Sequence, residues 1–129
     1  MTKRLKWIAA CALASALLVS LSLAQTTESP AVRVEQIFKK HCIVCHGRTN
    51  PRSGLNLEPG NWIAAMVNVA SREKPKLKLV APRDLEKSYL LQKIRGDEGI
   101  GGRRMPYRKD PLAAEDVNAI EAWVLSLGS

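Results

Sequence analysis

The stretch KKHCIVCHGR, residues 39–48, places Cys42 and Cys45 two residues apart, with His46 directly after the second cysteine. The chain has 3 cysteines in total, so this stretch contains all of them except Cys11. A pair with this spacing serves metal binding, thiol redox chemistry or covalent attachment of a group. The compartment and the rest of the chain indicate which of these chemistries applies.

The first 24 residues indicate export. Residues 1–6 carry three basic side chains, residues 7–21 are an apolar run, and small residues lead to Ala24. This pattern is typical of a secretory signal, and cleavage near Ala24 would remove Cys11. An uncleaved membrane anchor over residues 7–24 is the main alternative, although its length is at the low edge of a bilayer span. Lipid attachment at Cys11 is a weaker alternative, because the apolar run before it is short.

The remaining length predicts one domain with one core. We expect a signal peptide over residues 1–24, a disordered lead over residues 25–30 and the domain over residues 31–129. The formal net charge is +8, with basic residues dispersed along the chain and few aromatic residues. This composition does not favour nucleic-acid binding, and it suits an acidic protein partner better.

Helical spacing of apolar residues predicts four short helices and no strand. The first runs from Ala31 into Cys42, and the second follows Asn61 as its cap. The third starts at Asp84 and stops at Gly96, and Asp110-Pro111 opens the last. The predicted apolar faces comprise Val34, Ile37, Phe38, Trp62, Ile63, Met66, Val67, Ala70, Leu85, Tyr89, Leu90, Leu91, Ile94, Val117, Ile120, Trp123, Val124 and Leu127.

Two long loops, over residues 47–60 and 96–109, are rich in glycine, proline and asparagine. Such loops are uncommon in a compact domain unless they are functional. The chain also has only 3 Trp, 2 Tyr and 1 Phe, which make a thin core. A large apolar cofactor at the centre would explain both features.

Three chemistries compete for the cysteine pair. A thioredoxin-like dithiol needs a strand–helix domain, and zinc needs three or four ligands, for which only His41 is left as an extra candidate. A structural disulfide would leave the neighbouring histidine without a role. Covalent haem attachment uses all three residues, with thioether bonds from Cys42 and Cys45 and with His46 as an iron ligand.

A second axial ligand is available in Met105. This residue lies 59 positions after His46 in a glycine-rich loop between two predicted helices, and Pro106 follows it. Met66 is the alternative, but its position on an apolar helical stripe favours a core role. We expect His41 to be a surface residue, because it adjoins Cys42 and cannot easily reach the opposite face of the ring.

With these residues the chain resembles the class I c-type cytochromes, specifically small exported bacterial domains with one haem. The resemblance covers most of residues 31–128. It is carried by Phe38, the 42–46 motif with Gly47, Ser53-Gly54-Leu55, Ser88-Tyr89-Leu90, Met105-Pro106 and Ala122-Trp123-Val124. It implies an all-α fold of about four short helices wrapped around one covalent haem. In the family the first and last helices cross closely, and Phe38 and Trp123 match positions that pack there. Val34 stands where many members have glycine, and its side chain should push the two helices apart.

We therefore predict an exported, periplasmic electron carrier with one haem c, His46 and Met105 as axial ligands, and no substrate bound at iron. It is expected to be a monomer that has no membrane span after cleavage and does not bind nucleic acid. A haem-bearing electron-entry subunit or domain of a larger exported oxidoreductase is an alternative. A haem enzyme or gas sensor with an open iron site is another, and it requires that Met105 does not bind iron.

Basic residues flank both sides of the predicted haem site. They are Arg48, Arg52, Arg103, Arg104, Arg108 and Lys109. We expect them to form a docking collar for acidic redox partners. The same charges could instead neutralise the haem propionates or simply keep the two loops solvated.

Overall fold

The computed structural model describes residues 28–128, which form five α-helices and one 3₁₀ turn. The helices are α1 Pro30–His41, α2 Ile43–His46, α3 Trp62–Met66, α4 Tyr89–Arg95 and α5 Ala114–Ser126, and the 3₁₀ turn is Arg52–Gly54. Within residues 28–128 there are isolated β-bridges but no strand, which confirms the predicted all-α fold. None of these helices has the length and apolar character needed to cross a bilayer. The predicted signal and its cleavage near Ala24 lie outside the described residues.

Helix α1 begins at a capped N-terminus. The Ser29 hydroxyl accepts a hydrogen bond from the Val32 backbone N–H at 3.4 Å, and Pro30 occupies the first turn, where its missing N–H costs nothing. The last turn is basic, which favours the negative end of the helix dipole. The helix starts one residue earlier than predicted and ends where the backbone of Cys42 leaves the helical path.

Helices α1 and α5 make the most extensive helix–helix contact in the described part of the chain. Val34 of α1 and Ile120 and Val124 of α5 have no exposed surface and belong to one core cluster. The valine that was expected to push the helices apart is therefore accommodated inside the core. Burial of its side chain replaces the close backbone contact that a glycine would allow.

Trp62 of α3 joins the aromatic residues of α1 and α5. Its ring centroid lies 5.3 Å from that of Phe38 in an edge-on arrangement and 4.9 Å from that of Trp123. Its indole N–H donates a hydrogen bond to Glu35 Oε2 at 3.1 Å, so the polar atom of this buried ring is satisfied. Phe38 and Trp123, which were predicted to pack at the helix crossing, thus both pack on Trp62.

Helix α3 is shorter than its apolar pattern predicts. It ends at Met66, because residues 68–71 pair instead with residues 77–80, for example through the Leu79 N–H to the Val69 carbonyl at 2.7 Å. The prediction that Val67 and Ala70 continue the helix is therefore wrong. Ile63, also assigned to the buried face, is 46% exposed.

The starts of α4 and α5 also differ from the predictions. Helix α4 begins at Tyr89, because the Asp84 carboxylate accepts the Lys87 N–H at 2.9 Å and closes a separate turn. Helix α5 begins at Ala114, and residues 111–113 precede it as a non-helical segment that buries Leu112. The predicted stop of α4 at Gly96 is confirmed, since this residue adopts a left-handed conformation with φ +78°.

Replacing Val34 by glycine is expected to destabilise the domain by about 3 kcal/mol, because it removes a buried side chain and adds backbone freedom inside a helix. The free energy of unfolding in denaturant measures this loss. Val32→Gly is the matched control, since Val32 lies on the same helix but is 49% exposed. It should cost less than about 1 kcal/mol. Equal losses in the two variants would contradict the packing role of Val34.

Candidate haem-binding site

The cysteine motif lies at the break between α1 and α2. Cys42 leaves the helical path with φ −120°, and its carbonyl accepts hydrogen bonds from the N–H groups of Cys45 at 3.1 Å and His46 at 3.0 Å. This bonding closes one helical turn and holds the three side chains of the motif within it. Cys42 is partly buried against the core, and Cys45 is exposed.

The environment of Cys42 argues against a redox-active thiolate. Burial raises the pKa of its thiol to about 11, with Cys45 adding to the shift and Lys109 opposing it. A redox-active dithiol requires an accessible thiolate. A thioether carries no charge, so covalent attachment is the use of Cys42 that its environment favours. Cys42 and Cys45 are both free thiols in the structure.

The ring of His46 is half-buried under the loop that follows it. The Leu57 N–H donates to the His46 carbonyl at 2.7 Å and so folds this loop back over the motif. Burial lowers the pKa of His46, while the nearby backbone of Leu55 and Arg52 favours the protonated ring and works against this effect. Nδ1 is buried without a hydrogen bond of regular geometry. A neutral imidazole is the form that binds iron.

A cavity of about 730 Å³ lies at the centre of the domain, in the size range of pockets for small molecules and cofactors. It is lined by Cys42, Cys45 and His46 and also by Met105, so it joins the motif to the glycine-rich loop. Much of its wall is apolar and comes from several elements. These apolar residues include Phe38, Leu55, Leu57, Leu79, Leu90, Ile94, Leu112 and Ile120.

Both candidate methionines reach the cavity, in different settings. Met66 has no exposed surface, ends α3 and belongs to the core cluster. Met105 is partly exposed on the loop after α4, and its N–H donates to the Lys93 carbonyl at 3.0 Å. The structure therefore brings Met105 and His46 to one cavity, while Met66 takes the packing role that its spacing predicts.

His41 is not the surface residue that the sequence suggests. Its side chain is 25% exposed, it lines the cavity, and its Nε2 lies 3.7 Å from Asp116 Oδ2 on α5. Asp116 is itself buried and accepts a hydrogen bond from Arg33 Nη2 at 2.6 Å. The last turn of α1 therefore faces α5 at His41. The sequence position of His41 beside Cys42 does not indicate this contact.

Two of the six basic residues assigned to the collar are engaged elsewhere. Arg48 Nε lies 3.2 Å from Glu58 Oε2. Arg104 donates from Nη2 to the Lys109 carbonyl at 2.8 Å, and its Nη1 is buried. Arg52, Arg103 and Lys109 do line the cavity, whereas Arg108 does not.

Arg72 is a cavity residue that no pattern in the sequence indicated. It comes from the segment after α3, and its guanidinium lies against Gly54, where an added Cβ would be 3.0 Å from Nη2. Gly54 has φ +69°, so this close approach depends on a residue without a side chain. No ion pair within residues 28–128 involves Arg52, Arg72 or Arg103. These three arginines are called the rim arginines below.

These features fit a haem. The site offers two thiols and an imidazole on one helical turn, a thioether on a second loop, apolar walls and cations without acidic partners. Glu73 is the one acidic residue among those that line the cavity in the described chain. A haem carries two carboxylates, which the rim arginines are suited to neutralise.

Comparison with known proteins supports the assignment of a haem site. Searches of curated proteins and of solved structures found no match. The sequence pattern of the family Cytochrome C oxidase, cbb3-type, subunit III matches residues 29–124. This match confirms the resemblance to the c-type cytochromes, the covalently bound haem c and its role in electron transfer. Since it spans most of the chain, the protein belongs to the cytochrome c oxidase, cbb3-type, subunit III family.

Proposed function

We propose that this domain is an exported electron carrier whose haem c is attached through Cys42 and Cys45 and ligated by His46 and Met105. The observation that carries the proposal is the central cavity, which the motif and the loop of Met105 both line. Residues 1–24 act as a signal peptide, a short lead follows, and the haem domain begins at Ser29, which caps α1. The mature protein is a periplasmic monomer.

When bound, the haem supplies an iron that cycles between the ferric and ferrous states, and the chain holds and tunes it. His46 presents a neutral imidazole, which its lowered pKa favours at neutral pH. Met105 presents a neutral thioether, a ligand that raises the reduction potential. The apolar walls exclude water and disfavour the more highly charged ferric state. Cys45 and the neighbouring Val44, which is 80% exposed, leave one edge of the site open for electron transfer.

Loss of either motif cysteine is expected to break one covalent attachment. After expression with a periplasmic maturation system, Cys42→Ala and Cys45→Ala should give unstable or singly attached product, while the parent keeps its colour through acid–acetone extraction. Cys11→Ala is the matched control and should leave the mature mass and colour unchanged, because the proposed signal is removed. A colourless parent protein, or a parent mass equal to the bare chain, would overturn the attachment.

Replacing Met105 by alanine should abolish the weak long-wavelength sulfur-to-iron band of the ferric protein. It should also lower the reduction potential and let the ferrous iron bind carbon monoxide, since the sixth position is then open. Met66→Ala is the control. It should keep the band and instead cost about 2–5 kcal/mol of stability, as expected for a buried methionine. A band that survives in Met105→Ala would place the ligand elsewhere, and a parent protein that binds carbon monoxide readily would favour a sensor or enzyme.

The rim arginines and Lys109 support docking of an acidic redox partner. They line the cavity, so an acidic partner bound to them would lie close to the haem. The same arginines are also placed to neutralise the haem carboxylates. The two roles differ in their readouts, because docking changes the salt dependence of electron transfer and carboxylate pairing changes the reduction potential.

For docking, the double variant Arg52→Gln and Arg103→Gln should slow electron transfer to an acidic partner about tenfold at low ionic strength and flatten its salt dependence. The control changes Lys40 and Arg83, which are exposed and do not line the cavity. Stopped-flow rates over a range of salt concentrations measure the effect. A potential that shifts while the salt slope stays unchanged would assign these arginines to the carboxylates and not to docking.

A second candidate function is suggested by the family description, which is that of an oxidase subunit. In this case the domain would pass electrons within a larger exported oxidoreductase. Size-exclusion chromatography of the native protein from its source distinguishes the two functions. A free carrier elutes at the mass of a monomer, whereas a subunit elutes with its complex.

A further inference from the structure

We propose that Glu73, Tyr89 and Lys93 form a positioning cluster that holds the loop over residues 96–109 and thereby keeps Met105 on the iron. The proposal rests on the proposed role of Met105 as the sixth ligand. None of the three residues is a candidate iron ligand here. They act through the loop that carries Met105, and their contribution is geometric.

One carboxylate oxygen organises the cluster. Glu73 Oε2 accepts hydrogen bonds from the Tyr89 hydroxyl at 2.5 Å and from Lys93 Nζ at 2.7 Å. Tyr89 and Lys93 lie four residues apart and therefore on the same face of α4. Glu73 comes from the segment after α3, so its carboxylate joins that segment to α4.

The Glu73–Lys93 ion pair differs from an ordinary surface pair. The Glu73 side chain is 40% exposed, but the Lys93 side chain is only 12% exposed, and Tyr89 is buried. Burial would raise the pKa of Glu73, but the hydrogen bonds from Lys93 and Tyr89 outweigh it and hold the pKa below its usual value. Loss of this carboxylate would leave the Lys93 ammonium largely buried without a counter-charge, which is unfavourable.

The same two residues of α4 also hold the loop. The Gly101 N–H donates to the Tyr89 hydroxyl oxygen at 2.9 Å, and Lys93 Nζ donates to the Gly101 carbonyl. The backbone of Lys93 continues the connection, since its carbonyl accepts the Met105 N–H at 3.0 Å. The loop is thus fixed to α4 at residue 101 and again at residue 105.

Gly101 lies directly against Glu73. A Cβ added to this glycine would lie 3.0 Å from Cβ, Cδ and Oε2 of Glu73, a separation that would force the carboxylate to move. The lack of a side chain at residue 101 therefore lets the loop close over the cluster. Since the loop contains four glycines, it has high conformational freedom, and its position depends on such anchors.

Glu73→Gln tests the inference in the intact holoprotein, because it removes the charge and keeps the shape. Glu98→Gln is the matched control, since Glu98 is exposed on the same loop and has no partner in the described chain. Glu73→Gln should raise the fraction of ferric iron without the sulfur-to-iron band about tenfold, equivalent to about 1.4 kcal/mol. In the ferrous state, the fraction of Glu73→Gln that binds carbon monoxide should rise by a similar factor. Glu98→Gln should behave as the parent.

The other members of the cluster provide further variants. Tyr89→Phe and Lys93→Met should weaken the band in the same way, and Lys93→Arg should restore most of it. If Glu73 and Lys93 act as a pair, the double variant Glu73→Gln with Lys93→Met should lose no more of the band than the stronger single variant. Fully additive losses would contradict the pair.

Two measurements separate a positioning role from general stabilisation of the fold and from a wrong ligand assignment. On heating, Glu73→Gln loses both the band and the helical circular dichroism. If the two midpoint temperatures are lowered by the same amount relative to the parent, the cluster stabilises the fold generally and the inference fails. If the band is lost well before the helices unfold, the inference holds. Met105→Ala is measured in parallel. A band that survives there refutes the ligand assignment, whereas a band lost there but unchanged in Glu73→Gln refutes the cluster alone.

Discussion

At Cys42 the chain leaves the path of α1 and begins a second helical turn at once, and the rest of the domain is arranged around this break. The turn holds Cys42, Cys45 and His46 through two hydrogen bonds to one carbonyl. Because covalent attachment and the first iron ligand are both proposed to arise from this single turn, the remaining elements need only close the other sides of the cavity. The short lengths of α2, α3 and α4 are consistent with such enclosure.

The packing that supports this turn is concentrated where α1, α3 and α5 meet. The indole N–H of Trp62 is hydrogen-bonded to Glu35, and its ring packs against both Phe38 and Trp123. Val34 is buried in the contact between α1 and α5. Three of the five aromatic residues in the described part of the chain therefore lie in one cluster. The apolar side chains that line the cavity are fully shielded from water only when a large ligand is bound. Folding and haem binding are therefore expected to be coupled.

Basic residues around the site fall into two groups with different consequences. Arg48 and Arg104 bond to residues of their own loops, Glu58 and Lys109, while Lys93 of α4 pairs with Glu73 from the segment after α3. The rim arginines have no acidic partner in the described residues and line the cavity. A count of basic residues near the motif cannot separate the two groups, because the difference depends on how the loops fold and on which side chains then meet.

The sequence by itself determined the features whose geometry is local. The spacing of Cys42, Cys45 and His46 specifies a shared turn, Gly96 ends a helix because it accepts positive φ, and apolar spacing identifies an all-α domain. Tertiary structure alone decided which residues meet across the chain. Pairing of residues 68–71 with 77–80 shortened α3, the contact with Asp116 moved His41 off the surface, and Gly54 admitted Arg72 to the cavity. The cluster of Glu73, Tyr89 and Lys93 has no local pattern at all, since its hydrogen bonds form only after three separate segments have packed together.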